Sequence, residues 1–83
     1  MNAQFSLFCT GNGAVGVKKA RRTVKLDFVP TIGFTFLEKD LLLSVAGVSY
    51  DLDKELLFVS FPNVPLQIIN HVINEYGWEE VEV

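Results

Sequence analysis

The chain has 83 residues, of which 49% are hydrophobic and 20% are charged, and its net charge is −3. This length is suited to one domain, and the composition excludes an intrinsically disordered chain. We therefore expect one small folded domain over residues 1–83.

The first predicted element is a strand over the apolar residues 3–9. Its last residue, Cys9, is the single cysteine, so no disulfide can form within the chain. A cysteine in an apolar run is more typical of a packed side chain than of a reactive thiol. The start of the chain lacks the features of a signal peptide, and no apolar run is long enough to span a bilayer. We expect a cytoplasmic protein without membrane contact.

The next segment carries the glycine spacing of a dinucleotide-binding loop, with Gly11, Gly13 and Gly16 at the required intervals. Such a loop must lead directly into a helix within a strand–helix–strand unit. The residues that follow, 17–22, provide less than two helical turns and no amphipathic stripe before the next strand pattern begins. The segment therefore favours a hairpin loop, with nucleotide binding as a less favoured alternative, and we expect no cofactor.

A cluster of basic residues follows, whereas all ten acidic residues lie from Asp27 onward. Five of the seven Lys and Arg residues form this cluster: Lys18, Lys19, Arg21, Arg22 and Lys25. A cationic loop beside glycines is typical of contact with a phosphate backbone, but the segment has no aromatic residues on which bases can stack. The alternatives for the loop 18–25 are a solvated surface, nucleic-acid contact, and contact with the acidic part of the chain, within the fold or between subunits.

The middle of the chain predicts an antiparallel meander. Alternating apolar residues predict strands over 23–28 and 32–36. The nearly continuous apolar run 41–52 predicts a strand that is buried on both faces and bent at Gly47. An acidic turn then leads to a strand over residues 56–61. This turn lacks the glycine and the distal glutamate of a calcium-binding loop, so no metal is expected.

The C-terminal part changes to a helical period over residues 65–76. Apolar residues recur every three or four positions: Leu66, Ile69, Val72, Ile73 and Tyr76. Asn63 is the predicted N-cap, and Gly77 suits the left-handed position after the helix. His71, the single histidine, falls among polar helix residues, which predicts an exposed side chain and neither a zinc ligand nor a catalytic base. The alternating residues 78–83 predict a last edge strand.

These elements predict an α+β fold: a curved, mostly antiparallel sheet of four to six strands with one amphipathic helix near the C-terminus. Closure of the sheet into a barrel is an open alternative. The aromatic residues exceed what one helix on an open sheet can cover, which predicts a non-enzymatic interaction module that forms a homodimer. Candidate interaction residues are the five basic residues and Trp78, although a core position is favoured for Trp78. Nucleic-acid contact through the basic loop is the alternative function.

Overall fold

The computed structural model describes residues 1–10 and 17–82. Within these ranges the chain forms β1 (Asn2–Thr10), β2 (Val17–Lys25), β3 (Thr35–Glu38), β4 (Leu41–Ser44), β5 (Gly47–Asp51), β6 (Leu56–Ser60), α1 (Leu66–Glu75) and β7 (Glu79–Val81). The predicted α+β fold with one helix near the C-terminus is confirmed.

The strands form a main sheet of five strands, in the order β5-β6-β1-β2-β7, and a separate hairpin of β3 and β4. β1 pairs in parallel with β6, whereas the other neighbouring strands are antiparallel. The predicted mostly antiparallel sheet is therefore confirmed. Over the described ranges the strand order is open, and closure into a barrel is not seen. No helix in these ranges has the length and hydrophobicity needed to cross a membrane.

The central strand β1 divides the main sheet into two faces. Its alternate residues Ala3, Phe5, Leu7 and Cys9 are buried and define what we call the inner face. Side chains of directly paired residues share a face, so the pairing of β1 with β2 and β6 adds neighbours to this face: Ala20, Leu57 and Val59. Both α1 and the β3–β4 hairpin pack on the inner face, which therefore holds the core.

The helix buries Ile69 and Val72 completely, as its predicted apolar stripe requires. Its N-terminus differs from the prediction, because Pro65 is the N-cap and no side chain caps the helix. The amide of Asn63 instead donates to Thr10 Oγ1 at 3.3 Å, which ties the helix start to the end of β1. At the other end Gly77 has a φ of 76°, the left-handed conformation that the sequence predicts.

The apolar run 41–52 forms two strands that belong to different sheets. The N–H of Val45 donates to the Phe34 carbonyl beside the hairpin, and the N–H of Ala46 donates to the Ser60 carbonyl in the main sheet. The chain thus changes sheets between these two residues. The predicted burial on both faces is wrong for the single chain, because Leu42 is 67% exposed.

Two predicted strand boundaries also shift. β2 extends from Val17 to Lys25 because all nine of its residues pair with β1, and this pairing outweighs the local apolar pattern. Phe28, predicted to end that strand, lies in the connection to β3. β3 itself begins at Thr35, later than predicted, so Phe34 precedes it.

Candidate functional site

The predicted basic loop 18–25 is a strand, so its description as a flexible loop is wrong. β2 runs antiparallel to β1 from the pair Thr10–Val17 to the pair Asn2–Lys25. Successive side chains of a strand point to opposite faces. This alternation separates the five basic residues into an inner and an outer set, which the sequence does not reveal while the segment is taken as a loop.

Lys18 and Arg22 point to the inner face, where they bond to later parts of the chain. Lys18 Nζ donates to Asn70 Oδ1 of α1 at 2.5 Å and lies 3.9 Å from Glu80 Oε1 of β7. Arg22 forms an ion pair with Glu38 at the end of β3. Contact of the basic segment with later acidic residues, one of the predicted alternatives, therefore occurs within the fold.

The outer set consists of Lys19, Arg21 and Lys25, which share one face of β2 with Thr23. Lys19 Nζ lies 5.1 Å from the centre of the Phe8 ring. Arg21 donates two hydrogen bonds to the Glu79 carboxylate, at 3.2 and 3.3 Å. The side chains of Arg21 and Glu79 are 41% and 67% exposed, respectively, and an ion pair with this exposure contributes little to stability. The face of the main sheet opposite the core, which we call the outer face, thus carries a row of cations along β2.

The glycines of the predicted nucleotide loop, Gly11, Gly13 and Gly16, lie outside the described residues. β2 begins at Val17, immediately after them. The element that follows is therefore a strand, whereas a dinucleotide loop leads into a helix whose N-terminus faces the pyrophosphate.

Trp78 lies in the core with 3% of its surface exposed, as the favoured interpretation predicts. Its Nε1 donates to Glu38 Oε1 at 3.0 Å, so the Glu38 carboxylate bonds to both Trp78 and Arg22. A cavity of about 180 Å³ adjoins these residues and is otherwise lined mainly by apolar side chains, including Phe5 and Phe36. Trp78 is therefore covered by other residues of the same chain.

A second polar connection joins the end of α1 to the turn of the hairpin. The Tyr76 hydroxyl donates to the Asp40 carboxylate. This hydrogen bond is the main reason why the pKa of Asp40 falls below its ordinary value of 3.8 and the pKa of Tyr76 rises above 10.0. Lys39 Nζ lies 4.6 Å from the Tyr76 ring centre. The hairpin is thus attached to the helix end by polar contacts at its tip.

The side of the β3–β4 hairpin that faces away from the sheet is uncharged and carries two exposed leucines. We call it the hairpin surface; it consists of Thr35, Leu37, Leu42 and Ser44. Leu37 and Leu42 are paired across the two strands and are 69% and 67% exposed. The hydroxyls of Thr35 and Ser44, also a cross-strand pair, lie 3.0 Å apart. Two large aliphatic side chains are therefore held side by side in water.

Aromatic rings connect this hairpin to the core. The ring centres of Phe28 and Phe34 lie 5.3 Å apart, and Phe34 lies 5.0 Å from Phe36. Phe36 in turn lies 4.8 Å from the buried Phe5. Phe28 and Phe34 remain 40% and 41% exposed, respectively. A cluster that starts in the core therefore ends at the surface next to the hairpin, where part of its apolar area is exposed.

The outer face contains an open groove of about 340 Å³ between β5, β6 and β1. Half-buried phenylalanines, Phe8 of β1 and Phe58 of β6, line it together with Ser6, Ser49 and Ser60. The sequence alone does not place these two rings together. The available signal was the alternation of β1, which places Phe8 opposite the buried set, but the proximity of Phe58 depends on the β1–β6 pairing.

The remaining candidates are structural. Cys9 is buried and His71 is exposed, both as predicted. Asp51 Oδ1 accepts hydrogen bonds from the N–H groups of Asp53 at 2.9 Å and Lys54 at 3.1 Å, so the acidic segment is a turn closed by its own carboxylate. Over residues 1–10 and 17–82, no group of three or more His, Cys, Asp or Glu side chains is arranged to hold a metal ion.

Comparisons with known proteins assign no family to this chain. No protein family matches it, and neither a curated protein nor a solved structure shows significant similarity.

Proposed function

We propose that this chain is a non-enzymatic protein-interaction module that self-associates through the hairpin surface. The observation that carries the proposal is the exposed pair Leu37 and Leu42, 69% and 67% accessible on a side of the hairpin that has no charged side chain. Exposed apolar patches that are flanked by polar residues often mark protein–protein interaction sites.

A second copy of the chain is the proposed occupant because the hairpin surface is neutral while the whole chain is not. Two copies with a net charge of −3 each repel one another overall. The hairpin surface is a place where they can meet without opposing like charges. In a two-fold symmetric contact each leucine pair packs on its counterpart, and the exposed Phe28 and Phe34 rings lie beside the contact.

The test is the oligomeric state of the variant Leu42→Asp, measured by sedimentation velocity over a range of concentrations. The substitution removes an apolar side chain and brings a charge close to its own symmetry copy. Loss of about 1.5 kcal/mol or more from each copy raises the dimer dissociation constant by about 100-fold or more.

Leu52→Asp is the matched control. Leu52 is also a leucine, it is 82% exposed, and it lies in the turn between β5 and β6, away from the hairpin. We expect this variant to dimerise like the original chain. A strictly monomeric original chain, or an equal loss of dimer in both variants, contradicts the proposal.

A further inference from the structure

We propose that the outer face of the main sheet binds single-stranded nucleic acid, with bases stacked on Phe8 and Phe58 and phosphates placed along the cations of β2. This face lies on the opposite side of the sheet from the β3–β4 hairpin, so the inference does not depend on self-association. It is carried by the aromatic rings, the hydroxyl groups and the charges that the fold brings together there.

The two rings lie at opposite ends of the same groove. Along the parallel pair of β1 and β6, Gln4 is opposite Phe58 and Ser6 is opposite Ser60, so Phe8 lies beyond the serine pair. A rise of about 3.3 Å per residue and a strand spacing of about 4.8 Å separate the Cα atoms of the two phenylalanines by about 14 Å. Single-strand binding proteins stack bases on aromatic side chains spaced along such a surface.

Hydroxyl groups lie between the rings. Ser6 is 8% exposed, and Ser60 Oγ donates to the Gly47 carbonyl at 3.4 Å. Gly47 keeps this part of the groove open, because a Cβ atom there would lie 2.7 Å from Ser60 Oγ. The groove therefore offers small polar groups to base edges between two apolar ring faces.

The cations lie along one margin of the groove. In the pairing of β2 with β1, Lys19 is opposite Phe8 and Arg21 is opposite Ser6, while Lys25 lies further along the same face. Three carboxylates lie on or beside this face: Glu79 is bonded to Arg21, Asp51 is bonded to backbone N–H groups of its own turn, and Glu55 lines a pocket together with Lys25. Cations beside stacking rings suit a nucleic acid, which supplies both phosphates and bases. They suit an acidic protein segment less well, because such a segment has no bases to stack.

The test is fluorescence anisotropy of a labelled oligothymidylate of about 15 nucleotides, near the upper end of known single-strand site sizes. Binding should weaken with salt, and Lys19→Gln should reduce the slope of log K against log salt by about 0.7. Phe58→Leu keeps an apolar side chain but removes the ring, and it should weaken binding by roughly 5- to 150-fold.

The alternation of β2 provides matched controls. Lys18→Gln removes the neighbouring cation, which points to the inner face, and Phe28→Leu removes an exposed ring outside the groove; both should bind like the original chain. The inference is overturned if oligothymidylate does not bind at low ionic strength, if duplex DNA binds equally well, or if Lys18→Gln weakens binding as much as Lys19→Gln. It is also overturned if a poly-glutamate peptide binds as tightly, since that result assigns the face to acidic proteins.

Discussion

At the scale of single residues, the hydrogen bond between Tyr76 and Asp40 links two segments that are far apart in the chain. It joins the end of α1 to the hairpin turn and shifts the pKa values of both groups in directions that stabilise the fold at neutral pH. A lowered carboxyl pKa contributes stability above the unfolded value, and this contribution is lost as the pH falls through the folded value. A raised phenol pKa contributes stability at pH values below the unfolded pKa, and this contribution is lost as the pH rises through the folded pKa.

The variant Tyr76→Phe tests this linkage. We expect it to be less stable than the original chain at neutral pH, because the Asp40 carboxylate loses its donor. The difference in unfolding free energy should shrink as the pH falls below 3.8, and it should shrink again as the pH rises above 10.0. Urea unfolding at a series of pH values measures this difference.

Tyr50→Phe serves as the control for the loss of a phenol. In the part of the chain that the structure describes, the Tyr50 hydroxyl has no side-chain hydrogen bond, and the residue is 46% exposed. Its substitution should leave the pH profile of stability unchanged. A Tyr76→Phe profile parallel to that of the original chain would show that the Asp40 bond has no part in the pH dependence.

At the scale of elements, Glu38 attaches the hairpin to the rest of the inner face. Its carboxylate accepts a hydrogen bond from the buried Trp78 and pairs with Arg22 of β2. Among the described residues the hairpin forms no strand pairing with the main sheet, so side-chain contacts of this kind help to position it. This attachment depends on which side of β2 each basic residue occupies, and it could not be predicted while residues 18–25 were taken as a loop.

Glu38→Ala should therefore destabilise the chain. The substitution leaves the indole N–H of Trp78, a residue that is 3% exposed, without its acceptor, and the expected cost is about 1–3 kcal/mol. Glu80→Ala is the matched control, because its partner Lys18 lies 3.9 Å away and the Glu80 side chain is 55% exposed. That change should cost no more than about 1 kcal/mol. Urea denaturation compares the two, and equal losses would refute a structural role specific to Glu38.

At the scale of the whole molecule, the parallel pairing of β1 with β6 organises the core. Residues more than 50 positions apart become neighbours, and the pairing places Leu57 and Val59 beside the buried residues of β1. The same pairing brings Phe8 and Phe58 to one groove on the outer face. A single register thus determines both the core and the proposed nucleic-acid site.

Leu57→Ala tests how much a core residue of β6 contributes to the stability of the fold. Leu57 is 1% exposed, and replacing it should lower the unfolding free energy by about 2–5 kcal/mol, through lost burial and the cavity that remains. Leu52→Ala removes the same atoms from a side chain that is 82% exposed and should change stability by less than about 0.5 kcal/mol. Thermal or urea unfolding measures both, and similar losses would contradict the assignment of Leu57 to the core.

The sequence by itself determined the features that depend on local periodicity. The apolar stripe of α1, the left-handed Gly77, the burial of Cys9 and the turn at Asp51 all follow from residues within a few positions of one another. These features belong to the α+β class that the sequence predicts.

Only the tertiary structure decided the length of β2, the sheet change between Val45 and Ala46, and the parallel neighbour of β1. The sheet change and the parallel pairing depend on backbone contacts between segments that are well separated in the chain, and the length of β2 depends on its register with β1. A local apolar pattern can indicate a strand, but it does not identify the partner of that strand. The candidate surfaces follow from the same pairings. Strand alternation sends Lys18 toward the core side and Lys19 toward the open face, so neighbouring residues of one basic run acquire different partners.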